Sequence, residues 1–170
     1  IDGYFIHMPG IYIAYPSNAL DAKGLLKMAC RMDDPVLFME HKGLYRQGYA
    51  ATDEPDSDYI IPFGKGRLVS NGNYLTLVTW GAMVQKSVEA VQELLLEENI
   101  VEIIDLRTLN PIDFDILEVS INKTGKVLIV HEDNLTNGPG AEISAMISEQ
   151  FFEYLDGPIK RVAAKDSPIP

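Results

Sequence analysis

Residues 36–46 read VLFMEHKGLYR, and this stretch decides how the first part of the chain is interpreted. Its apolar run, from Val36 to Met39, lacks polar alternation, which is typical of a strand buried on both faces of a parallel sheet. The run ends abruptly in a charged and aromatic cluster, Glu40 to Arg46. Ligands and partners collect at the carboxyl ends of such strands in open α/β sheets. The cluster therefore predicts a site or a subunit joint, and the alternative is a solvated strand end with a surface ion pair.

The preceding residues complete a strand–helix–strand unit. Residues 11–15, IYIAY, predict a short strand, and Ser17 is the expected N-cap of a helix with apolar residues at helical spacing. This helix should end near Arg31, before the turn that leads to Pro35, because a residue before proline avoids the α conformation. Cys30 lies on the apolar side of the helix, which predicts a buried core thiol. The unit indicates a right-handed crossover in a parallel sheet.

Composition restricts the class of protein and its partners. The chain has 170 residues and a formal net charge of −11, which argues against nucleic acid and favours basic partner surfaces. No apolar stretch approaches the roughly 20 residues that a membrane span requires, and the first residues do not resemble a signal peptide. A single cysteine allows no disulfide within the chain, in keeping with a reducing compartment. The start without methionine and the end on prolines suggest a piece of a longer polypeptide.

The sequence divides into two α/β parts and a linker. Residues 1–46 form the first part, and residues 65–170 form the second. The linker, 47–64, contains four acidic side chains, two prolines and two glycines with little periodicity. Its acidic residues are more typical of a solvated loop than of a cation site.

The second part repeats strands and helices. A hairpin is predicted at Asn71-Gly72-Asn73, because these turn residues separate two strand-like runs. Predicted strands are 65–70, 74–80, 101–106, 127–130 and 159–163, and predicted helices are 82–98, 113–123 and 142–154. This order predicts an α/β domain with a mostly parallel sheet of about five strands and one antiparallel edge hairpin.

Three features could carry chemistry. The glycine-rich turn from Asn137 to Glu142 could bind a phosphate or simply begin a helix tightly; Pro139 removes one N–H donor. His131 and Glu132 end a buried strand and point to opposite faces, so a partner-facing or supporting role is more plausible than a shared metal. His7 is either structural or part of a site completed by other residues. No HExxH, CxxC or GxSxG motif occurs.

Several segments together resemble one family along nearly the whole chain. They are HMPGIYIAYPSNALDAKGLL, DDPVLFMEHKGLYR, IPFGKGRLV, VTWGAMVQKSVEA, VEIIDLRTLNPID, KTGKVLIVHE, GPGAEISAMI and LDGPIKRVAAKDSPIP. The chain resembles the β subunit of the thiamine-diphosphate-dependent component of 2-oxo acid dehydrogenases, of the branched-chain (2-oxoisovalerate) or pyruvate type. The resemblance implies that residues 1–46 are the end of a transketolase-like pyrimidine-binding domain. It also implies that residues 65–170 are a transketolase C-terminal-type domain, truncated at its end.

The resemblance implies an activity for the parent protein. This activity is the oxidative decarboxylation of a branched-chain 2-oxo acid, or of pyruvate, with acyl transfer to a lipoyl group. Thiamine diphosphate and Mg²⁺ would be bound by the complete enzyme, and no residue of this chain is assigned to cofactor binding. The catalytic residues are expected upstream of Ile1, with His7 as a supporting candidate, so the isolated chain should be inactive.

The resemblance also implies a cation site and partners. Backbone carbonyls at Ala29, Cys30, Met32 and Asp34 match positions that hold a monovalent cation, such as K⁺, in relatives. Asp156, with Arg161 nearby, matches the surface that binds the subunit-binding domain of the lipoyl acyltransferase core. Arg161 could instead form a structural ion pair. An α subunit or α portion and a dimer of β portions are the other expected partners.

Two alternatives stay open on the residues. The chain could be a non-catalytic assembly module for dimerisation and docking. It could also be a transketolase or deoxyxylulose-phosphate synthase relative, although the clustered basic and histidine ligands for sugar phosphates are missing from the second part. The expected compartment is the cytoplasm of a bacterium or the mitochondrial matrix of a eukaryote.

Overall fold

The computed structural model describes residues 2–94 and 100–167, which form five α-helices and eight β-strands in two sheets. We call residues 2–46 the first half and residues 65–167 the second half; 47–64 link them. The helices are α1 Asp2–Ile6, α2 Ala19–Ala29, α3 Met83–Glu93, α4 Phe114–Thr124 and α5 Pro139–Gln150. The strands are β1 Tyr12–Ala14, β2 Val36–Phe38, β3 Arg67–Ser70, β4 Leu75–Thr79, β5 Val101–Asp105, β6 Thr108–Asn110, β7 Val127–Asn134 and β8 Lys160–Ala164.

The second half is built on a five-stranded sheet, the large sheet, in the order β3-β5-β4-β7-β8. All neighbours are parallel except β3, which runs antiparallel to β5 at one edge. Helices α4 and α5 pack apolar residues such as Leu117 and Ile143 on one face, and α3 covers the other face near Leu77. Both faces of β4 and β5 are therefore buried, which explains their apolar runs. The predicted fold class is confirmed.

The predicted hairpin between β3 and β4 is wrong. The strand β5 lies between them, so the turn at residues 71–73 passes the start of β5 instead of closing a hairpin. Gly72 lies so close to this strand that a Cβ there would stand 2.1 Å from the backbone nitrogen of Glu102. The crossover through α3 places β5 beside β4, and this non-local pairing overrides the local turn signal.

The first half contributes β1 and β2 to a small sheet, in the order β2-β1-β6. β1 and β2 are parallel, as the strand–helix–strand unit predicts, but β6 of the second half joins them antiparallel. No strand was predicted at residues 108–110. β2 is an edge strand and is only half-buried, so the expectation of burial on both faces is wrong for the described residues.

The helix boundaries follow capping chemistry. Asp113 caps α4 by accepting from the backbone N–H of Ile116, and Gly125 ends it in the left-handed conformation (φ 66°), as expected. At α2 the cap is Asn18 and not Ser17, because the Asn18 side chain accepts from the Asp21 N–H. Ser17 Oγ instead donates to Asp105 Oδ2 at 2.6 Å.

Three other local predictions differ from the structure. Cys30 follows the last residue of α2 and is exposed, since the helix ends before its side chain can reach the core. α1 was not predicted. α5 begins at Pro139, three residues before the predicted start, and the end of the helix predicted over 82–98 lies partly outside the described residues.

Candidate functional site

An open groove lies where the two halves meet, between α1 and the start of α5. We call it the α1–α5 groove. It has two adjoining parts of about 430 and 400 Å³. Its lining residues are Gly3, Tyr4, Ile6, His7 and Met8 from the first half, and Asp133, Thr136, Asn137, Gly138, Pro139, Ala141 and Glu142 from the second. The second-half wall follows β7, so the groove lies at the carboxyl end of a parallel strand, where α/β folds bind ligands.

Close backbone approach fixes the narrow end of the groove. The Gly3 N–H donates to Asp133 Oδ2 at 2.8 Å, across the two halves. A Cβ at Gly3 would stand 2.8 Å from the Asn137 carbonyl oxygen, so a larger residue there would push the walls apart. His7 lies on the first-half wall with an exposed side chain.

The glycine-rich turn begins α5, as the tight-start interpretation predicted. Gly138 is the N-cap and Pro139 occupies the first turn. The backbone N–H of Ala141 donates to Gly138 O, and Glu142 adds a negative charge in the first turn. These features remove donors and repel anions, so the phosphate interpretation is disfavoured.

A buried aromatic cluster lies beneath the groove. The His131 ring stacks on Trp80, with ring centroids 5.5 Å apart and planes 8° from parallel. Trp80 Nε1 donates to Asp2 Oδ2 at 3.3 Å, which ties α1 to the large sheet. Burial lowers the pKa of His131 below its ordinary value, and burial raises the pKa of Asp2 despite the Trp80 hydrogen bond. Neither Asp2 nor Trp80 was predicted as a candidate site residue.

His131 and Glu132 point to opposite faces, as expected, but they lie within β7 and do not end it. His131 is 2% exposed. Glu132 faces outward; its Oε2 lies 3.0 Å from His41 Nε2, and its Oε1 lies 3.5 Å from Lys86 Nζ. His41 belongs to the first half, so this contact supports the joint interpretation of the residue 40–46 cluster.

The same cluster borders a second cavity, of about 400 Å³. Tyr45 donates to Glu40 at 2.6 Å, and this hydrogen bond raises the pKa of the Tyr45 phenol. The cavity wall is completed by the start of α2 and by Ala50 and Ala51 of the linker. No cluster of three or more His, Cys, Asp or Glu side chains able to hold a metal occurs among residues 2–94 and 100–167.

A charged cluster joins the halves more deeply. Asp21 of α2 and Asp105 of β5 are both completely buried. Arg107 Nη2 lies 2.6 Å from Asp21 Oδ1, and Arg67 Nη2 lies 3.2 Å from Asp105 Oδ2. The motif IDLRTLNPID contains two members of this cluster, but sequence reasoning treated it only as a family signature.

The positions suggested by the resemblance lie at separate places. The four backbone positions from Ala29 to Asp34 follow α2, where the Ala29 carbonyl accepts from the Met32 N–H at 3.1 Å. Asp156 is exposed, 3.7 Å from Lys126 Nζ. Arg161 on β8 donates to the Leu135 carbonyl at 2.8 Å, and within the described part of the chain it has no carboxylate within 4 Å.

No described helix is long and apolar enough to cross a membrane.

Two family models match the chain in order. The transketolase pyrimidine-binding domain matches residues 3–47, and the transketolase C-terminal domain matches residues 64–170.

Curated relatives match nearly the whole chain. The 2-oxoisovalerate dehydrogenase subunit beta, mitochondrial, of Dictyostelium discoideum is 43% identical over 99% of this chain and 45% of its own length. The pyruvate dehydrogenase E1 component subunit beta of Staphylococcus epidermidis is 41% identical over 100% of this chain and 52% of its own length. The chain thus spans about half the length of these relatives.

A solved structure shares the fold. It is described as a split gene transketolase, inactive beta4 tetramer, and matches with a TM-score of 0.77 and 25% sequence identity. The match covers 97% of this chain and 52% of that one.

Proposed function

Because this chain belongs to the transketolase C-terminal domain family, we propose that it is part of the β subunit of a thiamine-diphosphate-dependent 2-oxo acid dehydrogenase. The complete enzyme would decarboxylate a 2-oxo acid oxidatively and transfer the acyl group to a lipoyl arm. The observation that carries this proposal is the ordered pair of domain matches together with 41–43% identity to β subunits named for such enzymes. The inter-half groove at the end of β7 supports it, because both of its walls belong to matched domains.

The residues of this chain do not fit a thiamine diphosphate site by themselves. A diphosphate with Mg²⁺ needs carboxylate or carbonyl ligands grouped around the metal and donors around the phosphates. The α1–α5 groove offers Asp133 and Glu142 without a basic residue other than His7, and no acidic metal cluster occurs among the described residues. We therefore assign no step of the reaction to the cofactor through this chain. Residues outside it would hold the cofactor and Mg²⁺.

The contribution of this chain would be the α1–α5 groove, with one wall from each half. His7 is exposed on the first-half wall, where it could contact a substrate or an incoming acyl acceptor from the side opposite Asp133. Its exposed position supports the proposal that His7 assists the reaction. Among 2-oxo acids, we favour a branched-chain substrate over pyruvate, because the EHK and LYR segments are intact.

Three partners are proposed. An α subunit would complete the enzyme, and a second β portion would form a dimer. Asp156 is accessible for the basic surface of an acyltransferase subunit-binding domain, whereas Arg161 is held by the Leu135 carbonyl.

The carbonyls of Ala29, Cys30, Met32 and Asp34 would bind a monovalent cation such as K⁺. The mitochondrial matrix or a bacterial cytoplasm would be the compartment.

The two alternatives differ in their support. The identity to 2-oxo acid dehydrogenase subunits exceeds the 25% identity to the transketolase structure, which favours a 2-oxo acid over a sugar phosphate. An assembly role for this part of the chain is compatible with the main proposal, because the described residues form joints and not a cofactor site.

A substrate panel tests the proposal. The complete polypeptide, co-expressed with its α partner, would be assayed for CO₂ release from 2-oxoisovalerate and from pyruvate. As a control, it would be assayed for transfer of a two-carbon ketol group from a ketose phosphate to an aldose phosphate. We expect 2-oxo acid decarboxylation that requires added thiamine diphosphate and Mg²⁺. Turnover of the ketose phosphate alone would contradict the proposal.

A further inference from the structure

The two halves are connected by a buried cluster of opposite charges that no part of the proposed reaction requires. Asp21 comes from α2 of the first half, whereas Arg67, Asp105 and Arg107 come from the second half. Asp21 and Asp105 are 0% exposed, and the Arg107 side chain is 13% exposed. A buried carboxylate without a partner is strongly destabilising, so both carboxylates depend on their arginines.

Each half supplies groups to both carboxylates. Asp21 receives Arg107 Nη2 at 2.6 Å on one oxygen and Arg67 Nε at 3.5 Å on the other. Asp105 Oδ2 accepts from Arg67 Nη2 at 3.2 Å and from the first-half hydroxyl Ser17 Oγ at 2.6 Å. The contacts therefore cross the joint in two directions, and sliding one half past the other would break several of them at once.

Local backbone geometry orients Arg107 and the two buried carboxylates. Arg107 has a left-handed conformation, φ 59°, which lets its N–H donate to Asp105 Oδ1 at 3.0 Å. Its carbonyl accepts from the Tyr15 N–H at 2.8 Å, so one residue holds the first half through both its backbone and its side chain. Asn18 Nδ2 donates to Asp21 Oδ2 at 2.8 Å and fixes that carboxylate. The hydrogen bonds from the Arg107 N–H to Asp105 and from Asn18 to Asp21 therefore hold both carboxylates in place beside the arginines.

We propose that Asp21 and Arg107 form an inter-half clamp that fixes the relative orientation of the two halves and thereby sets the width of the α1–α5 groove. The groove depends on this orientation because His7 and Asp133 lie on opposite halves. Asp21 and Arg107 are positioning residues, since they line neither part of the groove. The clamp acts in this way whatever reaction the parent protein carries out.

Hydrogen exchange in the complete polypeptide with its α partner tests the clamp. The Tyr15 amide reports opening of the joint, because it donates to Arg107 across the halves; Val78, in the centre of β4, reports opening of the large sheet. Asp21→Asn leaves the Arg107 guanidinium buried without its counter-charge. We expect exchange at Tyr15 to accelerate roughly a hundredfold, with a much smaller change at Val78. Equal acceleration at the two amides would overturn the proposal.

A matched control and a double variant keep the test decisive. Lys23 lies on the same helix and pairs with the exposed Glu54 of the linker at 2.9 Å, so Lys23→Ala should leave exchange at Tyr15 unchanged. In the Asp21→Asn/Arg107→Gln double variant both charges are gone, and the acceleration should be smaller than the product of the two single effects. Multiplicative effects would overturn the proposal, because they would show that Asp21 and Arg107 do not act as one pair.

A distance measurement reads the groove itself. Spin labels at Tyr4→Cys and Thr136→Cys, with the exposed Cys30 replaced by serine, would report the separation of the two rims by electron–electron resonance. We expect one narrow distance distribution in the otherwise unchanged protein and in Lys23→Ala, and a broadened one in Asp21→Asn. An unchanged distribution in Asp21→Asn would contradict a role in setting the groove width.

Discussion

The joint between the two halves has more charged contacts than the interior of the large sheet. The large sheet is covered on both faces by apolar side chains from α3, α4 and α5. The joint shares that apolar core, since Ile13 and Tyr15 of the first half pack in the same cluster as Val78. It also contains the buried Asp21–Arg107 pair, the His41–Glu132 contact and the short antiparallel pairing of β6 with β1. Apolar contacts tolerate small displacements, whereas ion pairs and hydrogen bonds require defined directions. The apolar core therefore stabilises both regions, and the charged contacts restrict the orientation of the halves further.

The largest expected effect is on the large sheet. Leu117 of α4 is completely buried in its core, and Leu117→Ala should lower the free energy of unfolding by about 2–5 kcal/mol, because it removes apolar contact and leaves a cavity. Urea denaturation measures the loss. Val119→Ala, at a 71% exposed position of the same helix, is the control and should change stability by no more than about 0.5 kcal/mol. Equal losses would refute the assigned core.

A buried polar cluster inside the large sheet sharpens the comparison. Thr76 Oγ1 lies 2.6 Å from Ser120 Oγ and 2.7 Å from Thr124 Oγ1, and joins β4 to α4. Thr76→Val should cost about 1–3 kcal/mol, because it leaves two buried hydroxyls short of a partner. Thr76→Ser keeps the hydroxyl and should cost less. A greater loss in the serine variant would mean that packing, and not hydrogen bonding, dominates here.

The groove should respond in activity and not in stability. His7→Asn, in the complete enzyme, should lower turnover roughly tenfold or more if His7 assists the reaction. Its side chain is exposed, so the urea midpoint should stay the same. The control is His41→Asn, which removes a joint contact outside the groove and should affect turnover less. Unchanged turnover in His7→Asn would exclude the proposed role of His7 in the reaction.

The smallest expected effect is the contribution of His131 to the pH dependence of stability. His131 lies in β7, beneath the groove; burial lowers its pKa, with Asp133 opposing and Arg161 of β8 reinforcing that shift. Below about pH 6.5 the unfolded chain therefore binds the proton more readily than the folded protein, so stability is lost as pH falls through that range. The loss for one proton is at most about 1.4 kcal/mol per pH unit.

His131→Phe should remove this contribution, since a phenyl ring can keep the stacking on Trp80 without titrating. Urea midpoints of the two proteins, compared from about pH 7 to about pH 5, give the difference directly. The difference should grow in favour of the variant as the pH falls. A constant difference across the range would show that His131 has the same pKa in the folded and the unfolded protein, and would contradict this prediction.

The sequence was informative where structure is local. Asp113 and Gly125 predicted both ends of α4 because capping depends on neighbouring residues. The same reasoning failed at Asn71-Gly72-Asn73, where the turn signal was real but β5, distant in sequence, took the partner edge. Cys30 was predicted to be buried on the apolar side of α2. It follows the last residue of that helix and is exposed.

The candidate site was less accessible to sequence reasoning. The segment from Glu40 to Arg46 was identified as a possible joint, and His41 does contact Glu132 of the second half. The Asp21–Arg107 pair was not found, since residues 86 positions apart share no periodic pattern. Asp2 and Trp80 were missed for the same reason. Family resemblance indicated the fold, but only coordinates show which charges meet.

Native-state hydrogen exchange at increasing urea tests most directly whether the joint and the large sheet are held separately. The Tyr15 amide reports the joint and the Val78 amide reports the large sheet in the unmodified complete protein. We predict that Tyr15 exchanges through an opening of lower free energy than Val78 at low urea, and that the two converge as global unfolding takes over. Equal opening free energies at every urea concentration would contradict the account.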